Sequence, residues 1–193
     1  MRIGLTGGVG CGVSEVARHL GSKGVPIVSG DEIGHLALNT PEVSRPLIER
    51  FGQGILDAEN LIDRSKLGAI VFADERARRD LNRIIHPTLL DMLAREVRAT
   101  EAKHGIVVVD AALIYEWGLQ GFFHKVIVVD APLDLRISRT IARDKLTEEQ
   151  VRQRIAAQMP LEKKVEKADV VISNNGTLEE LHSRVDAVWT EMA

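Results

Sequence analysis

The chain has 193 residues, 45% hydrophobic and 27% charged, with a formal net charge of −3. That length holds one principal core and a smaller insertion, and the weakly negative balance excludes a general nucleic-acid binder, which needs a basic surface to displace counterions. A single cysteine, Cys11, excludes an intrachain disulfide and suits a reducing compartment; no stretch reads as a signal peptide or membrane span, so a cytoplasmic protein without a membrane partner is expected.

In chain order, an apolar strand over 2–6 runs into a glycine-rich loop and a helix over 14–20, closed by Gly21 and Gly24. A second strand covers 26–29. From Asp31 to His104 no Val/Ile run occurs, which predicts a helical insertion between the second and third strands. Strands follow over 106–110, 126–130 and 170–173, three of the five being continuous Val/Ile runs of the kind covered on both faces. Two helices joined at 144–147 are expected within 136–167, a segment with nine Lys/Arg against five Asp/Glu. Thr147 with Gln150 and Thr177 with Glu180 have capping-box spacing, and the last helix, 178–192, places Leu178, Leu181, Val185, Val188 and Met192 on one stripe. Short apolar runs alternating with helices predict an α/β fold with a parallel five-stranded sheet flanked by helices. No internal repeat or low-complexity segment is present.

The loop Gly7-Gly8-Val9-Gly10-Cys11-Gly12-Val13-Ser14 has the spacing of a phosphate-binding P-loop, G-x-x-x-x-G-K-[ST], with Val13 in place of the lysine. Such a loop turns its N–H groups onto phosphate oxygens at the positive end of the following helix, and the Ser14 hydroxyl is placed to hold Mg²⁺. Glu15 brings a carboxylate beside the loop. A Rossmann dinucleotide site is the rival reading, with Asp31 after the second strand as ribose acid, but its third glycine would fall at 13. A turn that merely packs strand on helix is the other alternative.

Further motifs follow in order: Ser29-Gly30-Asp31 after the second strand; Asn82, His86 and Pro87; Leu113-Ile114-Tyr115-Glu116 after the third strand; Arg139 and Arg143-Asp144; Gln158; Ala168-Asp169; and Asn174-Asn175-Gly176. In this order and spacing, from residue 1 to about 190, the chain resembles the dephospho-CoA kinase family of P-loop kinases. The resemblance implies a P-loop NTPase-type fold of one domain: a core of 1–31, 105–135 and 168–193, a helical acceptor-binding insertion over about 32–104, and a helical lid over about 136–167. It implies ATP-dependent phosphorylation of the ribose 3′-hydroxyl of dephospho-CoA to give CoA, with Mg²⁺ alongside ATP and a monomer or weak homo-oligomer as the working form.

Under that resemblance Asp31, Arg139 and Arg143 are the catalytic residues, Asp31 taking or orienting the hydroxyl proton; the other reading of Asp31 is an N-cap for a helix starting at Glu32. ATP is met by Gly8, Val9, Gly10, Cys11, Gly12, Val13, Ser14 and Glu15, with Asn175 and Gly176 at the adenine edge. The acceptor falls to Asp31, Arg64, His86, Leu113 and Glu116, although His86 before Pro87 also reads as a helix end. Asp110 stands where a Walker-B acid would. With Val13 in the loop, either a lid cation (Arg139, Arg143 or Lys145) replaces the lysine, or the chain is a catalytically degenerate nucleotide- or CoA-binding paralogue.

Overall fold

Five strands, β1 (Arg2–Gly7), β2 (Ile27–Ser29), β3 (Val107–Asp110), β4 (Lys125–Asp130) and β5 (Val170–Ser173), form one sheet in the order β2-β3-β1-β4-β5. Every neighbouring pair is parallel, in a computed structural model that describes residues 1–192, Phe72 by its backbone alone. Val107, Val108, Val109 and Val128 are fully buried, as strands covered on both faces require. β5 is an edge strand, and its Val171 stays 40% exposed. The register pairs Leu5 and Ser29 with Asp110, Gly7 with Val129, and Asp130 with Ser173. The carboxyl ends of all five strands therefore form one edge, the side on which open α/β sheets bind ligands.

The described residues divide into two compact units, 1–29 with 97–192, and 30–96. The first holds the sheet. Its helix α1 (Val13–Ser22) buries Val16, Ala17 and Leu20, and runs on through Gly21, which the expected helix did not. The chain turns only at Gly24, where φ is +84°, a conformation glycine adopts without steric cost. The second unit contains α2 (Gly30–Leu38), α3 (Pro41–Phe51), α4 (Arg64–Ala73) and most of α5 (Glu75–His104). Val43, Leu47 and Ile55 are fully buried there, and Asp63 caps α4 by accepting from Ser65 N and Lys66 N.

Two helix boundaries correct the sequence expectations. α5 continues through Pro87, so His86 does not end a helix; the proline forfeits one backbone bond in a helix of 30 residues. α2 begins at Gly30, which puts Asp31 inside its first turn rather than at its N-cap.

The basic segment folds as three helices rather than two: α6 (Leu133–Asp144), α7 (Glu148–Ala156) and α8 (Leu161–Glu166). Thr147 and Gln150 form the expected capping box, and Pro160 separates α7 from α8. The final helix, α9 (Leu178–Met192), starts with the reciprocal Thr177–Glu180 bonds. It buries Leu181 and Val185 of its predicted stripe but leaves Leu178 47% exposed. No helix among the described residues is long and apolar enough to cross a membrane.

Candidate functional site

The loop between β1 and α1 takes its shape from Gly10 and Gly12, with φ of +78° and +91°. Both are also closed to side chains: a Cβ on Gly10 would collide with the Arg136 carbonyl of α6, and one on Gly12 with the Asn174 amide. Gly12 is the N-cap of α1, and its carbonyl accepts from Glu15 N and Val16 N at 3.1 and 3.2 Å. The helix's positive end thus opens onto the loop, the arrangement that attracts phosphate.

Side chains from distant segments hold this loop. Val9 N donates to Gln158 Oε1 at 3.1 Å, and Arg136 Nε donates to Val9 O at 3.0 Å. Asn174, buried beyond β5, donates through Nδ2 to Cys11 O at 2.8 Å, and its own carbonyl accepts from Arg139 Nη1 at 3.0 Å. Lys164 of α8 is fully buried; its ammonium donates to Gly7 O and Ala112 O at 3.2 and 2.8 Å and pairs with Glu116 Oε1 at 2.9 Å. That same Glu116 oxygen accepts from Met159 N at 2.8 Å.

Arg136, Lys164 and Asn174 carry no role in the sequence expectations. Asn174 stands in the run Asn174-Asn175-Gly176. Lys164 differs from its neighbours Lys163 and Lys167 only in sharing a helix face with buried Leu161, three residues earlier. Nothing in the sequence sets Arg136 apart from the other arginines of α6.

Within the loop, Val13 turns a methyl towards Gly7, its Cγ2 lying 2.8 Å from where a Cβ on Gly7 would stand. Ser14 is exposed in the first turn of α1. Glu15 is neutralised away from the loop: its oxygens accept from Arg18 at 2.5 Å and lie 2.7 Å from His182 Nε2. The Arg18 hydrogen bonds are the main reason its carboxyl sits below the usual carboxylate range. Cys11 is fully buried, and its sulfur accepts from Gly8 N at 3.3 Å. Burial pushes the thiol up, outweighing the nearby Arg136 charge, so the helix terminus does not make it reactive. Cys11→Ser is accordingly expected to keep activity within a few-fold. The native protein should resist a thiol-alkylating reagent over hours; rapid labelling would contradict the buried, protonated thiol.

The other expected site residues divide between the two units. In the first, Arg139 and Arg143 share α6 but not a partner: Arg139 reaches Asn174, whereas Arg143 is 64% exposed and lies on Asp144 at 2.7 Å. Lys145 is the left-handed C-cap of α6, with φ of +57°. Asn175 and Gly176 lie in the turn before α9, where Asn175 Oδ1 accepts from Arg184 Nη1 at 2.7 Å. Leu113 and Glu116 occupy the turn after β3.

A cavity of about 610 Å³ is lined by residues that include Asp130, Arg136, Gln158, Glu162 and Asn175, of which Arg136 and Gln158 bond the loop at Val9. In the second unit, Asp31 is exposed in the first turn of α2, Arg64 is the exposed first residue of α4, and His86 lies half-buried in α5. Burial alone pushes the His86 imidazole below its ordinary value, favouring the neutral ring.

No group of three or more His, Cys, Asp or Glu that could hold a metal is found among the described residues. An exposed hydroxyl at Ser14, with Asp110 at the end of the neighbouring strand β3, fits a cation of another kind. Mg²⁺ keeps most of its waters and is commonly held through one or two protein groups and the phosphates of a nucleotide.

The family model described as dephospho-CoA kinase matches residues 1–180. A dephospho-CoA kinase from Geobacillus kaustophilus is 40% identical over 190 residues, covering 97% of this chain and 94% of that protein. A solved structure from Thermus thermophilus superposes with a TM-score of 0.84 at 33% identity, covering 100% of this chain and 98% of that one. The dephospho-CoA kinase from Campylobacter jejuni gives a TM-score of 0.74 at 27% identity over 99% of this chain and 96% of its own.

Proposed function

We infer that this chain, which belongs to the dephospho-CoA kinase family, phosphorylates the ribose 3′-hydroxyl of dephospho-CoA with ATP, giving CoA and ADP. The observation that carries this reading is the glycine loop at the mouth of α1, with its P-loop spacing and positive φ at Gly10 and Gly12. It lies in a chain matched by the family over nearly its whole length.

Phosphoryl transfer asks the protein for alignment and charge neutralisation more than for covalent chemistry. The loop backbone at Gly8, Val9, Gly10, Cys11, Gly12 and Val13, with Ser14 and Glu15 in the first turn of α1, surrounds the phosphates. Asn175 and Gly176, in the turn before α9, take the adenine edge. Arg139, drawn inward to Asn174, and Arg143, further along the same helix, close over the triphosphate. Ser14, together with the nucleotide, would hold Mg²⁺, which would supply countercharge for the phosphates.

The acceptor falls to Asp31, Arg64, His86, Leu113 and Glu116. Asp31 accepts the hydroxyl proton as that oxygen bonds to the γ-phosphorus and the bond from the γ-phosphorus to the bridging oxygen of ADP breaks. The proton then passes to water. Exposure of the Asp31 carboxylate suits this role. The division of labour is a core of 1–31, 105–135 and 168–193, an acceptor insertion over about 32–104 and a lid over about 136–167. The single cysteine suits a reducing cytoplasm, and the working form is read as a monomer or weak homo-oligomer.

The test is coupled ADP release with ATP, Mg²⁺ and dephospho-CoA, with CoA identified among the products. One CoA per ADP is expected, and ADP release should depend on the acceptor. Folded protein that binds ATP but yields no CoA would overturn the kinase reading.

A further inference from the structure

The P-loop lacks a cation at position 13, yet an arginine from another element lies against the same loop. Arg136, in the first turn of α6, is 6% exposed. Its Nε donates to Val9 O at 3.0 Å, and its guanidinium lies on Gly8, with Nη2 2.5 Å and Cζ 2.9 Å from where a Cβ would stand. Glycine at position 8 is what admits the group. Any side chain there would displace it.

This arginine is also uncompensated. Among the described residues no carboxylate comes within ion-pair distance of its guanidinium, and its side-chain hydrogen bond is the one Nε donates to Val9 O, with neither Nη donating to a protein group. Asp130 and Glu162 line the same cavity without reaching it. Three other cations of this region are engaged: Lys164 by Glu116 and two carbonyls, Arg139 by the Asn174 backbone carbonyl, and Arg143 by Asp144. An arginine cannot shed its charge, so a nearly buried guanidinium without an anion is costly to fold. Arg136 also lines the 610 Å³ cavity, and the fork of a guanidinium matches phosphate oxygens.

We propose that Arg136 is a catalytic residue that replaces the missing P-loop lysine, its Nη donors contacting ATP phosphate oxygens beyond the α-phosphate while Nε stays on the Val9 carbonyl. The catalytic part rests on the kinase reading above, whereas the phosphate contact can be measured without it. The same guanidinium therefore shapes the loop and supplies its charge, a pairing that one lysine at position 13 would have achieved from within the loop.

The test is calorimetric titration of ATP, ADP and AMP into wild type, Arg136→Gln, Arg136→Lys, Val13→Lys and the Val13→Lys/Arg136→Gln double variant, alongside coupled ADP release. Arg136→Gln should weaken ATP and ADP binding by about ten- to a hundredfold, the range for a hydrogen bond to a charged group, with AMP changed less than about twofold. Turnover should fall on the order of a hundredfold or more. Val13→Lys should restore much of the ATP affinity in the Arg136→Gln background and add little alone, because a second cation beside Arg136 is repelled.

Unchanged ATP affinity in Arg136→Gln would overturn the proposal. So would equal losses for ATP and AMP without rescue, which would leave Arg136 a clip on the loop, or equal gains from Val13→Lys in both backgrounds. If the glutamine variant does not fold, Arg136→Lys decides: a reduced preference for ATP over AMP supports the proposal and an unchanged preference overturns it. The predicted binding pattern without CoA formation would remove the kinase reading and leave the phosphate contact standing. A wild type that binds neither ATP nor ADP would remove both.

Discussion

Lys164→Met is expected to lower stability by about 3 kcal/mol, the low end of the cost of leaving one member of a buried ion pair alone. The lysine side chain is fully buried and the Glu116 side chain only 18% exposed, so the carboxylate cannot turn freely to water. The substitution also strips a donor from Gly7 O and Ala112 O. It thus loosens the head of the glycine loop and the turn after β3 together. For a domain of this size the loss corresponds to a fall in melting temperature of roughly 6–12 °C. Lys164→Met/Glu116→Leu should recover part of that fall, since an apolar pair replaces the stranded charge, but not all, because Met159 N loses its acceptor. Thermal melts of the three proteins decide the matter. A Lys164→Met protein that melts with the wild type would show that the buried ammonium contributes nothing net.

Asp31→Asn is expected to reduce turnover on the order of 10²- to 10⁴-fold, the contribution of a positioned general base. ATP affinity should stay within about twofold. Asparagine keeps the shape of the side chain and its ability to bond the first turn of α2, where Asp31 sits. Loss of the carboxylate weakens the interaction with that helix's positive end by well under about 1 kcal/mol at an exposed position, too little to unfold the unit. The separation of the two readouts matters. Turnover and ATP binding measured on the same preparation distinguish a lost base from a damaged donor site, and a variant that turns over at the wild-type rate would remove Asp31 from the chemistry.

The strands, the loop and most helix starts were legible from neighbouring residues. Short apolar runs placed all five strands within a residue of their observed ends. Glycine spacing placed the phosphate loop, and Thr147 with Gln150 announced its helix through a bond spanning three residues. These features depend on backbone preferences and side-chain periodicity within a few positions, so local sequence carries them. Even there, Pro87 was misleading, because a helix of 30 residues tolerates one missing bond. The partners of the loop were another matter. Arg136 meets Val9 across 127 positions, Lys164 meets Gly7 across 157, and Asn174 meets Cys11 across 163. Which lysine of Lys163, Lys164 and Lys167 is buried, which arginine lies on the glycine loop, and that Glu15 meets His182 were decided by the parallel sheet order that sets β4 and β5 on one side of β1. The sequence by itself determined the elements and the chemistry of the loop. The tertiary structure alone decided which distant charges complete it, because a charge finds its partner through space and local periodicity carries no record of that distance.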